Sequence, residues 1–166
     1  MRIVVMGVTG CGKSSVGVQI AQRLDAKYAD ADGFHSEGNV AKMTQGIPLM
    51  DDDRWPWLAA VGVWLADQPK AVMSCSALRR AYRDVLRDHA PDTIFVHLSA
   101  PQEVLEERVR SRSATTNHFA GAGLLDSQYA TLEPLAADEV GVVVDVSHAN
   151  VTEAATSALE SLGVTT

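Results

Sequence analysis

The sequence predicts an α/β protein built around a parallel sheet, on three observations. Short β-rich runs alternate with stretches of helical period, the pattern of consecutive βαβ units. The first apolar run, Arg2-Ile3-Val4-Val5-Met6, opens directly into a glycine-rich loop and then a helical stretch. The 166 residues, 46% apolar and 21% charged, have the size and balance of one domain (1–166) with one core.

The strands expected are Ile3 to Met6, Lys27 to Asp30, Ala71 to Cys75, Ile94 to Leu98 and Gly141 to Val146. A helix follows the first loop, carried by Val16, Ile20 and Leu24. Trp57, Leu58, Val61, Trp64 and Leu65 form a second core-facing stripe, and Leu78, Tyr82, Val85, Leu86 and His89 a third. The last helix has the clearest start. Asn150 and Glu153 are spaced as a capping box, ahead of a face of Val151, Ala154, Ala155, Ala158, Leu159 and Leu162. Two polar stretches break the alternation, Ser36 to Arg54 and Ser111 to Gly123. Without an apolar period they read as mobile segments, a substrate-side segment over about 33–54 and a lid over about 111–123.

The charge of −7 argues against a broad basic surface for nucleic acid or anionic lipid. The longest uncharged apolar stretch, Trp55 to Ala66, contains a proline and falls well short of the ~20 residues that span a bilayer. Glycines and Lys13 follow the first apolar residues too soon for a signal peptide, so a cytoplasmic protein is expected. Cys11 and Cys75 are too few for a disulfide framework or zinc cluster and read as small reduced residues.

The segment Gly7-Val8-Thr9-Gly10-Cys11-Gly12-Lys13-Ser14 fits G-x-x-x-x-G-K-[ST], with the strand before it and helix after it that the motif requires. Such a loop wraps backbone N–H groups and a helix N-terminus around phosphate oxygens. Lys13 would reach the β and γ phosphates of ATP, and Ser14 would place its hydroxyl on Mg²⁺. The nucleotide set is therefore Gly7, Thr9, Gly10, Cys11, Gly12, Lys13, Ser14 and Ser15, with Cys11 needed only as a small residue. Asp30-Ala31-Asp32-Gly33 imitates a GTPase switch, but the chain contains no N-K-x-D to read guanine. The third strand ends in Ser74-Cys75-Ser76 without a carboxylate, which leaves Asp30 and Asp32 at the end of the second. Two carboxylates so placed can divide labour, one toward hydrated Mg²⁺ and one toward an acceptor hydroxyl, as in small-metabolite kinases. The triplet Asp51-Asp52-Asp53 precedes a helical stripe and reads as including its N-cap rather than as a metal site.

Four blocks make the chain resemble the bacterial-type gluconokinases, P-loop kinases of the shikimate-kinase-like group, along nearly its whole length. They are GVTGCGKS, DADGFHSEGNVAKMTQGIPLMDDDRWPWL (30–58), CSALRRAYRDVLR (75–87) and HFAGAGLLDSQYATLEP (118–134). The resemblance implies a three-layer P-loop kinase fold with a five-stranded parallel sheet in order 2-3-1-4-5, a mobile lid and a homodimer. It implies transfer of phosphate from ATP to the 6-hydroxyl of D-gluconate. It places Asp30 near Mg²⁺, Asp32 and His35 on the sugar acid, with Asp32 orienting or accepting the proton of the attacking hydroxyl. It puts Arg54, Arg79, Arg83 and His118 on the substrate side. Asn39 and Lys42 match the family's N-x-x-K-M run, and the plainer reading of both is that they hold the substrate-side helix. Arg108 and Arg112, four apart on one helix face, are implied against the adenine and on the phosphates once the lid closes. Lys13, Asp32 and Arg112 form the expected catalytic set.

The lid departs from the family pattern. Five residues, Ser113 to Asn117, separate Arg112 from His118 where the family has a shorter link, and Ser36 and Ala120-Gly121 stand where the family has prolines and a bulky residue. Acceptor choice is where these changes bear. Two other readings are a related small-metabolite kinase with another acceptor and a nucleotide-binding switch without catalysis.

Overall fold

Alternation along β1 (Arg2–Met6) builds the layers. Ile3 and Val5 enter one buried apolar cluster and Val4 and Met6 another, on opposite faces of the strand, as the two-residue period of a strand requires. A strand buried on both faces reads as a continuous apolar run, which is what this one is. The computed structural model describes residues 1–116 and 121–165, side chains excepted between 113 and 122.

β1 pairs in parallel with β3 (Ala71–Ser74) and β4 (Thr93–Ser99). β2 (Lys27–Asp30) lies outside β3 and β5 (Gly141–Asp145) outside β4, giving the expected order 2-3-1-4-5. The register sets Ser74 opposite both Val5 and Asp30, so β1, β2 and β3 end at one level. The chain order reverses at β1, and in open parallel sheets the crevice beyond the strand ends at such a point receives ligands.

On one face lie α1 (Lys13–Leu24), α7 (Val151–Ser161), Leu105 of α5 (Gln102–Thr116) and Leu125 of α6 (Gly121–Thr131). On the other lie α3 (Asp51–Asp67) and α4 (Arg80–His89), with Leu58, Val61, Leu65 and Leu86 at their centre. The alanines 154, 155 and 158 are fully buried on α7. Its start is the expected capping box, with Asn150 Oδ1 accepting from Glu153 N–H and the Glu153 carboxylate accepting from Asn150 N–H, both at 2.9 Å. No helix among the described residues is long and apolar enough to cross a membrane.

The polar stretches are more regular than their composition implies. Within 36–54 the chain forms α2 (Glu37–Thr44), capped by Ser36 Oγ, which accepts from Asn39 N–H at 3.1 Å. Its apolar residues Val40 and Met43 are about half exposed. With no stripe facing the core, periodicity had nothing to register, and polar side-chain bonds hold the helix instead. α3 starts at Asp51, well before its stripe, and Met50 takes the N-cap position expected of an aspartate. The three aspartates fill the first turn, where the helix dipole favours negative charge. In the lid region, α5 runs on to Thr116 and α6 begins at Gly121, so helix replaces an expected irregular segment on both sides of residues 117–120.

Candidate active site

The loop after β1 owes its path to glycine. Gly10 and Gly12 have φ of +82° and +92°, where a side chain is strained. The loop delivers the chain to Lys13 at the first turn of α1. A relay of hydroxyls fixes that turn, with Tyr28 OH donating to Ser74 Oγ and Ser74 Oγ donating to the Lys13 carbonyl, each at 2.9 Å. Gly17, one turn on, has no room for more: a Cβ there would lie 2.8 Å from Ser74 Oγ and 2.9 Å from the Tyr28 ring.

A cleft of about 720 Å³ opens at the strand ends. Thr9, Gly10, Gly12, Lys13, Ser14 and Ser15 line it from the loop, Asp30 and Asp32 from the end of β2, and Arg112, Leu124 and Gln128 from the lid side. Asp30 is held on both oxygens. Oδ2 accepts from the Ser14 hydroxyl at 2.9 Å and Oδ1 from Asp32 N–H at 3.0 Å. Lys13 Nζ rests on the Val8 carbonyl at 3.1 Å. Gly7 and Cys11 do not line the cleft. Gly7 N–H donates to the Ser76 carbonyl, and Cys11 is buried in the core, which pushes its thiol pKa up although Lys13 opposes the shift. Cys11 therefore offers the cleft no side chain, in keeping with a residue required to be small. Burial holds the other thiol, Cys75, up at about 12.

Arg108 lines an adjoining recess of about 580 Å³ with Val104, Glu107, Ser111 and Arg112. Its guanidinium donates to the Val146 and Ser147 carbonyls beyond β5, the latter at 3.1 Å. Arg112 borders both the recess and the cleft.

The side expected to take the acceptor is built on the turn after β2. Trp57 Nε1 donates to the Ala31 carbonyl at 2.7 Å, pinning the single 3-10 turn Ala31–Phe34 that separates Asp30 from His35. The Trp57 indole also stacks on the His35 ring at 4.2 Å and 17°. Asn39 Nδ2 donates to the Asp53 carbonyl at 3.0 Å and lies 3.2 Å from His35 Nδ1. With the amide nitrogen turned to both, Nδ1 must accept, so His35 is the neutral tautomer with its proton on Nε2. Burial lowers its pKa, Asp32 opposes this and Arg54 adds to it. Because the unfolded histidine binds protons more readily than the folded one, acid costs both stability and this tautomer. The expected result is an acid limb in kcat/KM for the acceptor below pH 6.5, moved upward in Asn39→Asp, whose carboxylate would favour imidazolium. A pH profile of both proteins checks it; an unmoved limb would count against the tautomer.

Arg54 and Arg79 converge on Asp51 and Tyr82. Arg54 Nη1 lies 3.3 Å and Arg79 Nη1 3.6 Å from the Asp51 carboxylate, and Tyr82 OH donates to it at 2.6 Å. Both guanidiniums sit over the Tyr82 ring, at 5.6 and 5.9 Å. Asn39 and Lys42 fasten α2 to α3, Lys42 by an ion pair with Asp53 at 2.8 Å.

Arg83 requires correction. Its side chain is fully buried, with Nε and Nη2 each 2.7 Å from the Glu139 carboxylate and Nη1 donating to the Ala77 and Leu78 carbonyls. It cannot meet a substrate. A helical period assigns a residue a face but not a partner 56 positions away. His118, the remaining substrate-side expectation, lies outside the described residues. Residues missed by the sequence reading are Tyr82, taken only as a core position, Asp51, taken as a cap, and Gln128. The signal for Gln128 lay in the fourth family-like block.

Comparison with known proteins now decides the family. The shikimate kinase model matches residues 9–163. The gluconokinase of Gluconobacter oxydans (strain 621H) is 44% identical over 82% of this chain and 78% of its own. The thermosensitive gluconokinase of Escherichia coli (strain K12) is 39% identical, covering 90% and 82%. The chain belongs to the gluconokinase family. The crystal structure of a gluconokinase from Sinorhizobium meliloti 1021 superposes with a TM-score of 0.87 at 46% identity, covering 98% of this chain and 91% of that one. A shikimate kinase from Aquifex aeolicus vf5, at 18% identity and a TM-score of 0.58, shares the fold. As a gluconokinase-family member the chain is an enzyme, a kinase using ATP, and the reading as a non-catalytic switch falls away.

Proposed function

We propose that this chain transfers the γ-phosphoryl group of ATP to the 6-hydroxyl of D-gluconate, giving 6-phospho-D-gluconate and ADP. The observation that carries the reading is one cleft walled by Lys13 and Ser14 on one side and by Asp30 and Asp32 on the other. The recess beside Arg108 suits the adenosine. Arg54 and Arg79 are the cations for a carboxylate, since guanidinium matches its planar geometry. Asp32 orients the attacking hydroxyl and takes its proton as the new P–O bond forms and the bond to the β-phosphate breaks. Because the transition state is loose, alignment counts for more than base strength. Lys13 and Arg112 neutralise the phosphoryl oxygens, and closure of the lid keeps out water that would otherwise compete with gluconate.

Ser14 Oγ and Asp30 form an oxygen-only donor pair that suits Mg²⁺, whose other ligands are commonly phosphate oxygens and water. The ion would screen the phosphate charge. The reading includes a cytoplasmic homodimer, for which sedimentation is the test.

The decisive assay measures ADP release with a panel of sugar acids, shikimate and nucleoside monophosphates. Gluconate should give the highest kcat/KM, and no gluconate-dependent turnover would end the proposal. The long link between Arg112 and His118 favours one second reading, a different sugar acid as acceptor, and the same panel reveals it. Asp32→Asn should lower kcat on the order of 10²-fold or more. A variant near full rate would remove Asp32 from the chemistry.

A further inference from the structure

Gln128 stands on α6, the helix that follows the lid, and its side chain reaches the phosphate loop. Its Oε1 accepts from Thr9 N–H at 2.6 Å. The identity of that amide atom is fixed by chemistry, because a backbone N–H can only donate and so must face oxygen. The amide nitrogen therefore has both hydrogens to give elsewhere, and among the described residues it has no hydrogen-bond partner. Gln128 borders the cleft together with Lys13, Asp30, Asp32 and Arg112. The position is half-buried, on a helix whose Leu125 is locked in the core and whose Tyr129 donates to the Ala100 carbonyl at 2.7 Å.

We propose that Gln128 is a further catalytic residue, whose carbonyl is anchored on Thr9 and whose amide NH₂ donates to an oxygen of the phosphoryl group in transfer. This rests on the kinase reading above and extends it to a residue for which the phosphate-loop motif has no place. The anchor is what makes the donor useful. A glutamine side chain free in a cleft would have to be oriented as charge develops, whereas one already fixed at its oxygen is aimed in advance, the condition for strong electrostatic stabilisation. A neutral donor also adds a hydrogen bond without another cation to pair with Asp32. Since α6 begins at Gly121, within the expected lid segment, and runs on to Thr131, one helix carries both the end of that segment and the donor.

Gln128→Glu separates the two roles. Its carboxylate keeps the bond from Thr9 N–H but cannot donate, and it brings a negative charge to the phosphoryl site. A mere tether between α6 and the loop would survive this change. A donor would not. Steady-state kinetics of Gln128→Glu and Gln128→Ala, with folding followed by thermal melting, should show kcat lowered on the order of 100-fold in both, with KM for gluconate and ATP nearly unchanged. A Gln128→Glu enzyme with kcat close to the parent's, or a loss confined to KM for gluconate, overturns the proposal.

A second measurement keeps the test independent of the acceptor. MgADP affinity is compared with and without aluminium fluoride, a mimic of the phosphoryl group in flight. The parent protein should bind MgADP more tightly with the fluoride, and Gln128→Glu should lose that enhancement. An equal enhancement in both, or none in the parent, overturns the assignment. If the parent shows the enhancement but no turnover with gluconate, the acceptor is wrong and the role of Gln128 stands.

Discussion

Lys13→Ala is expected to lower kcat by about 10³-fold while leaving the melting temperature almost unchanged. The ammonium group does little for the fold. Among the described residues it bonds to the Val8 carbonyl at 3.1 Å, within the same loop, and Lys13 is not among the buried residues. What holds the loop is elsewhere, in the positive φ of Gly10 and Gly12 and in the Tyr28–Ser74–Lys13 carbonyl relay, which uses the backbone of residue 13 and not its side chain. Alanine also keeps the helical start, being the best helix former. The loss therefore falls on the phosphoryl transfer, where one well-placed donor is worth on the order of 10² to 10³ in rate and a full charge adds to that. Rate measurement at saturating ATP and acceptor, beside a melting curve, checks both halves. A rate within tenfold of the parent would mean that another cation carries the γ-phosphate.

The division between what the residues announce and what they conceal follows from the range of the forces concerned. The phosphate loop is legible because one short segment carries strand, turn and helix start together, and each glycine answers a local backbone demand. The sheet order follows from resemblance rather than periodicity, yet the two-sided burial behind it is visible in β1, where every residue from Ile3 to Met6 is fully buried. α2, named only through the family-like N-x-x-K-M run, left no helical period for the opposite reason. Its order comes from Asn39 and Lys42 reaching Asp53, fourteen and eleven positions away, and no helical period encodes such a bond. The grouping of side chains expected on the acceptor side was partly legible. Arg54 and Arg79 do come together, but through Asp51 and Tyr82, residues whose sequence context advertised a helix start and a core stripe. Gln128 is the extreme case, since it falls within the fourth family-like block, yet a lone glutamine on a helix does not say which group it meets in space.

Arg83 shows the same limit with a large energetic consequence, and Glu139→Ala is the change expected to cost the fold most. The Glu139 carboxylate accepts from Arg83 Nε and Nη2 at 2.7 Å, from Arg87 Nη2 at 2.9 Å and from Ala136 N–H at 3.1 Å. Removing it leaves the Arg83 guanidinium fully buried with only carbonyl partners, and breaking a buried pair on one side costs about 3–5 kcal/mol. Burial alone would raise the Glu139 pKa, but the bonds from Arg83, Ala136 and Arg87 outweigh it and hold the carboxyl at about 2. A depressed carboxylate contributes stability that is complete above its unfolded value of 4.5 and is lost as pH falls toward 2. Urea unfolding should therefore show a large gap between the parent and Glu139→Ala at pH 7, narrowing below pH 4.5. A constant gap would mean that packing, not the ion pair, carries the effect. Replacing both partners, Arg83→Leu with Glu139→Leu, should recover much of the loss, because two apolar groups leave no buried charge unpaired. Activity should not recover with it. Arg83 Nη1 also holds the Ala77 and Leu78 carbonyls, at 2.9 and 3.3 Å, in a turn where Ala77 has a φ of +45° and which leads straight into Arg79. With that grip gone, the double variant should fold well yet show a higher KM for the acceptor acid, separating the work Arg83 does for the core from the position it imposes on its neighbour.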